Sequence, residues 1–233
     1  ALPPTPMSYL LPFCDDSHNA LVTGDAVMSS STEERLAIEG PAGSLELLVT
    51  RVDNPVAVVV ICHPNPVQGG TMHNKVVHTL MRAARDRQAS VVRFNFRGVG
   101  KSEGEHADGR GEVDDCLAVI AWALAEFELP LWLMGFSFGG YVAAAAAAQL
   151  DAPPEHLLLV APSVEKLPFA ELLPLACPAT VLMGEADDVV ASASVFNMLE
   201  GQPGIEVIRF AETGHFFHGR LVELKEKVEN LLL

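Results

Sequence analysis

Six unbroken apolar runs limit what this chain can fold into. VAVVVIC (56–62), SVVRFNF (90–96), LPLWLMG (129–135), HLLLVAP (156–162), ATVLMG (179–184) and IEVIRFA (205–211) recur with helix-length segments between them. A strand with one face in water alternates apolar and polar residues. Runs without alternation belong to parallel strands covered on both faces. The intervening segments carry helical periodicity. Val76, Val77, Leu80, Met81 and Ala84 form one stripe, and Val113, Leu117, Ile120, Ala121 and Leu124 form another. At the end of the chain Leu221, Leu224, Val228 and Leu231 share a face. Ahead of the first run, RLAIEG and SLELLVTRV alternate and are joined by PAG, the pattern of an antiparallel hairpin. Strands alternating with helices imply right-handed crossovers. The expected fold is α/β: a doubly wound, mostly parallel sheet of about eight strands with helices on both faces. Residues 1–29, with Pro3, Pro4 and Pro6, read as an N-terminal arm, and residues 30–233 as a single domain.

Composition narrows the function classes. At 49% hydrophobic and 19% charged, the chain is too apolar for disorder. The run AAAAAA at 143–148 is far short of the roughly 20 apolar residues that span a bilayer. A formal charge of −15 repels nucleic acid phosphates and anionic membranes. Cys14, Cys62, Cys116 and Cys177 are widely spaced without a C-x-x-C pattern. They read as small hydrophobes in a reducing, cytoplasmic compartment. Eight histidines occur without H-E-x-x-H or clustered Cys/His spacing, so neither a metal nor another cofactor is expected. RGVGKSEGE lacks the spacing of a phosphate-binding loop.

The stretch LMGFSFGGYVA (133–143) places Ser137 between Gly135 and Gly139, just past a buried strand and just before a small-residue helix. G-x-S-x-G in that context is a nucleophile elbow: the turn is so tight that side chains two positions either way would collide. The helix N-terminus presents free N–H groups to an anion formed beside it. A serine hydroxyl needs a base and an orienting acid, which in this topology follow in the order serine, acid, histidine. VLMGEADDVV offers Asp187 as the acid, with Asp188 left to face outward or cap a helix. VIRFAETGHFFHGR offers His215 as the base, with His218 as its rival. An oxyanion formed at Ser137 needs two donors. One is the Phe138 N–H. In His63-Pro64-Asn65-Pro66 the prolines have no N–H, so the second is that of Asn65. His63 is expected to pack beneath the site.

Together, HPNPVQGGTMHNKVV, RFNFRGVGKSEG, GFSFGG, GEADDVV and GHFFHGR identify residues from about 33 to 233 as similar to the α/β-hydrolase superfamily. The chain resembles small lidless bacterial serine hydrolases related to dienelactone hydrolases and acyl-peptidase-like domains. The resemblance implies Ser137 as nucleophile, Asp187 as acid and His215 as base, with Asn65 and Phe138 at the oxyanion positions. The implied substrate is a small ester-like molecule, with short-chain esters or thioesters expected. Small amides and a non-catalytic binding role on the same fold are the alternatives. Dienelactone hydrolases carry cysteine where this chain has Ser137. Between LLLVAP and ATVLMG lies only SVEKLPFAELLPLACP, too short for a helical lid.

Overall fold

The computed structural model describes residues 31–232. The proposed arm of residues 1–29 lies outside the described residues. Strand β1 (Ser31–Gly40) turns back through Pro41 and Ala42 into β2 (Gly43–Val52), and the two pair antiparallel along their whole length. The remaining strands are β3 (Ala57–Cys62), β4 (Ala89–Phe94), β5 (Leu131–Phe136), β6 (His156–Val160), β7 (Ala179–Gly184) and β8 (Ile205–Phe210). They join β1 and β2 in an eight-stranded sheet of order β1-β2-β4-β3-β5-β6-β7-β8. All neighbours from β4 to β8 pair parallel, and β2 pairs antiparallel with β4. Every residue of β3, β4 and β7 is buried, which is why these segments read as continuous apolar runs.

Among the described residues five α-helices cover the sheet: α1 (Lys75–Asp86), α2 (Arg110–Phe127), α3 (Phe138–Ala147), α4 (Ser192–Leu199) and α5 (Leu221–Leu231). Helix α1 packs against α5, and α2 against α3. The stripe expected on α1 is buried in full, and Leu224 and Val228 anchor α5. Helix α3, apolar all round, buries its alanines against β3, β5 and β6.

Helix α2 departs from its expected stripe. Ala121 and Leu124 face outward, and the inward face carries Glu112, Val113, Asp115, Cys116, Val119, Ile120 and Ala123. The two buried carboxylates explain the rotation. Glu112 accepts hydrogen bonds from the Ala107 and Gly109 N–H groups. Asp115 accepts from the Arg97 backbone N–H and grips its guanidinium at 2.7 to 3.1 Å. Each holds the loop that follows β4, and buried polar groups that are fully partnered carry little penalty.

The chain leaves β3 towards β4 on one side and later returns to β5 on the other. The carboxyl ends of β3 and β5 therefore flank the topological switch point, where an open α/β sheet leaves a crevice for ligands. Cys62 and Gly135 sit opposite each other there. The segments just beyond them are those that contain Asn65 and Ser137.

Candidate active site

Ser137 occupies φ 56°, ψ −117°, a region that non-glycine residues rarely enter. Its surroundings hold it there. The Ser137 N–H donates to Val160 O at 2.9 Å, extending the ladder between β5 and β6. Its carbonyl accepts from the Gly140 and Ser163 N–H groups at 2.9 and 3.1 Å. The flanking glycines are sterically required. A Cβ at Gly135 would lie 2.1 Å from Gly139 O, and one at Gly139 would lie 2.3 Å from Cys62 O.

The loops after β7 and β8 are tied to each other before they reach the serine. The Glu185 N–H donates to Phe210 O, and the Ala186 N–H donates to Thr213 O. A Cβ on Gly184 would fall 2.2 Å from Thr213 O, so the two backbones touch at this point. Phe217 is fully buried edge-on against Phe210 and fixes the loop that bears His215. The result brings three residues into line. His215 Nε2 lies 3.0 Å from Ser137 Oγ, and His215 Nδ1 lies 2.7 Å from Asp187 Oδ2. The second oxygen of Asp187 accepts from the Val189 and Val190 N–H groups at 2.9 and 2.8 Å. Asp187 thus caps the following turn and faces the histidine at once. Asp188 is exposed, and His218 is exposed and stacked on Phe216. Neither reaches the serine.

The segment after β3 is equally constrained. Asn65 Oδ1 accepts from the Val67 N–H, and its carbonyl accepts from the Gln68 and Gly70 N–H groups. The N–H groups of Asn65 and Phe138 find no acceptor among the described residues, and both residues line the same cleft as Ser137. His63 is fully buried beneath them. Its Nδ1–H donates to Pro64 O at 2.7 Å, and its Nε2 accepts the Phe96 N–H at 3.1 Å. Burial lowers its pKa from 6.5 to about 4, so the ring stays neutral and serves as a strut.

Several contributors carry no signal in the sequence. Phe136 packs against the His215 ring with centroids 4.9 Å apart. In the sequence it is one more apolar residue of a strand. The cleft itself, about 340 Å³, is walled by Leu167, Val189 and Val190, with His106, Asp108, Ser163 and Lys166 around them. These come from separate loops, and His106 Nδ1 sits 2.7 Å from a Glu112 carboxylate oxygen. Among the described residues, no group of three or more His, Cys, Asp or Glu side chains is placed to hold a metal ion. No helix among them is long and apolar enough to cross a membrane.

Comparison with known proteins agrees with this architecture. Residues 53–177 match the family described as serine aminopeptidase, S33. An uncharacterized protein of Rickettsia prowazekii is 30% identical over 218 residues, covering 85% of this chain and 88% of its own. An α/β serine hydrolase homologue from Coxiella burnetii superposes with a TM-score of 0.82 at 40% identity, covering 86% of this chain and 97% of that one. An α/β serine hydrolase without a lid from Xanthomonas campestris gives 0.79 at 37% identity, covering 85% and 92%. The chain thus has the fold of these α/β serine hydrolases, with no lid domain among the described residues, and belongs to the serine aminopeptidase, S33 family.

Proposed function

We propose that the protein hydrolyses short-chain carboxylic esters or thioesters through a covalent acyl-enzyme on Ser137. The observation that carries this reading is the line of contacts from Ser137 Oγ through the His215 ring to Asp187. His215 Nε2 takes the serine proton as Oγ attacks the acyl carbon, then passes that proton to the departing alcohol or thiol. Water, deprotonated by the same nitrogen, releases the acid. Asp187 accepts from Nδ1–H, fixes the tautomer and balances the imidazolium. The unpartnered N–H groups of Asn65 and Phe138, the latter at the first turn of α3, receive the tetrahedral oxyanion.

The family description names a peptidase, and the cleft favours the ester reading. An aminopeptidase must hold a free α-ammonium, which would meet Lys166 and His106 here, with Asp108 as the acidic residue of the lining. The acyl preference follows from the absence of a lid domain among the described residues. Each methylene left in water forgoes about 0.8 kcal/mol, so binding should stop improving after a few carbons in an open cleft. Work in the cytoplasm suits the thiols of Cys62, Cys116 and Cys177, which form no disulfide among the described residues.

The test is kcat/KM across p-nitrophenyl esters of rising acyl length, with and without an oil–water interface. The reading requires a maximum at short chains, no interfacial activation and loss of turnover in Ser137→Ala. A steady rise through long-chain esters would overturn the short-acyl assignment.

A further inference from the structure

Beyond His215 the surface carries three adjoining hollows. The first is lined by Asp188, Gly214, His215, Phe216 and His218, among others. The second shares Phe216 and His218 and adds His73, Asn74 and Lys75. The third shares His73 and Lys75 and opens between α1 and α5 into a cleft of about 400 Å³, where His78 and Arg82 of α1 face Leu221, Val222 and Lys225 of α5. They form a groove from the candidate base to the cleft between the two helices.

Away from Asp188 at its His215 end, its charge runs against that of the chain, which carries a formal −15. Among the described residues no carboxylate lines the cleft between α1 and α5. Neighbouring cations are neutralised: Arg85 by Asp86, Arg93 by Glu33, and Lys225 by Asp86 and Glu229. Lys75 and Arg82 line the cleft and have no ion pair among the described residues. Seven residues apart on α1, they share a face at about 10 Å separation along the axis. Like charges on one face oppose each other, and Lys75 adds to the positive end of the helix dipole. Burial lowers the pKa of His78, with the Arg93 and Arg82 guanidinium groups adding to the shift and the Glu33 carboxylate opposing it. Val222 is 74% exposed and gives the cleft an apolar lip.

The direction of the groove assigns it to one half of the substrate. A general acid must touch the group it protonates, so the leaving group lies on the His215 side, whereas the cleft of Asn65, Phe138 and Leu167 takes the acyl side. We infer that the groove receives the leaving group and that this group carries phosphate: the substrate is an ester or thioester of a phosphorylated alcohol or thiol, its phosphates seated at Lys75 and Arg82. This rests on the hydrolase reading above and specifies its substrate class.

Two thioesters of one short acid test it, one on N-acetylcysteamine, which is neutral, and one on coenzyme A, whose thiol ends a long phosphorylated arm. The coenzyme A thioester should show a kcat/KM advantage of about tenfold or more. Arg82→Glu should abolish that advantage, as should salt at about 0.5 M. Lys227→Glu, outside the groove, should preserve it. Independently of turnover, Ser137→Ala protein should bind adenosine 3′,5′-bisphosphate in a calorimetric titration, and the added Arg82→Glu change should remove binding. Hydrolysis of both thioesters with equal kcat/KM, insensitive to salt and to Arg82→Glu, overturns the leaving-group assignment and leaves the hydrolase reading standing. Binding of the bisphosphate without hydrolysis of either thioester overturns both. Failure of the bisphosphate to bind overturns the phosphate site itself.

Discussion

Phe136 lies against the His215 ring, centroids 4.9 Å apart and planes tilted by 33°, so the residue just before the candidate nucleophile also steadies its base. The contact sets where Nε2 points. Phe136→Leu keeps an apolar side chain and frees the ring to turn. We expect kcat on a short ester to fall about tenfold with KM little changed. Thermal or urea unfolding should show a loss of about 1–2 kcal/mol. Unchanged kcat would show that the hydrogen bonds of His215 alone orient it.

The acid and base candidates differ sharply from their neighbours. Asp187→Asn preserves an oxygen for the Val189 and Val190 N–H groups but weakens the hold on His215 Nδ1, and should cost about 10³–10⁴ in kcat. His215→Ala should cost at least as much. Asp188→Asn and His218→Ala, on exposed side chains, should each change kcat less than about threefold. Steady-state kinetics on one short ester gives the ranking, and inversion within either pair would reassign that loop.

Close backbone approach makes the elbow glycines irreplaceable for structural reasons, apart from chemistry. Gly135→Ala and Gly139→Ala each drive a methyl into a backbone carbonyl and should lose at least about 2 kcal/mol in urea unfolding. Gly214→Ala is the contrast, because its new methyl would meet nothing nearer than Ala186 O at 3.7 Å. It should shift stability by no more than about 0.5 kcal/mol.

His63 makes stability depend on pH. Its folded pKa of about 4 lies below the ordinary 6.5, so the unfolded chain binds the proton more tightly. Its stabilisation is complete above pH 6.5 and is lost as pH falls towards 4, by about 2 kcal/mol between pH 7 and pH 5. Urea unfolding at the two pH values measures this. His63→Asn, less stable at pH 7, should show a much shallower slope over the same range.

What the sequence revealed followed from how directly sterics constrain it. Parallel strands buried on both faces are mostly apolar, with the few buried polar side chains such as Arg93 partnered, so β3 to β7 stand out as runs. Gly135 and Gly139 are glycine because the backbone passes within contact distance, so the elbow stood out as well. The order Ser137, Asp187, His215 is imposed by topology, and the structure brings these three together. Helix α2 was misread because Glu112 and Asp115 turn inward to grip a loop, and polarity alone assigns such residues to water. Phe136, Lys166 and His106 gave no local signal. Phe136 sits beside Ser137 but reads as one more strand residue, whereas Lys166 and His106 meet the site only because loops far apart in the chain converge at one end of the sheet.

The most direct test of the central claim is peptide mapping by mass spectrometry after treatment with a fluorophosphonate, which phosphonylates an activated serine. A single adduct on Ser137, absent in Ser137→Ala and strongly slowed in His215→Ala, is the expected result. An adduct on another residue, or none on the wild-type protein, would contradict the assignment of Ser137 as the nucleophile.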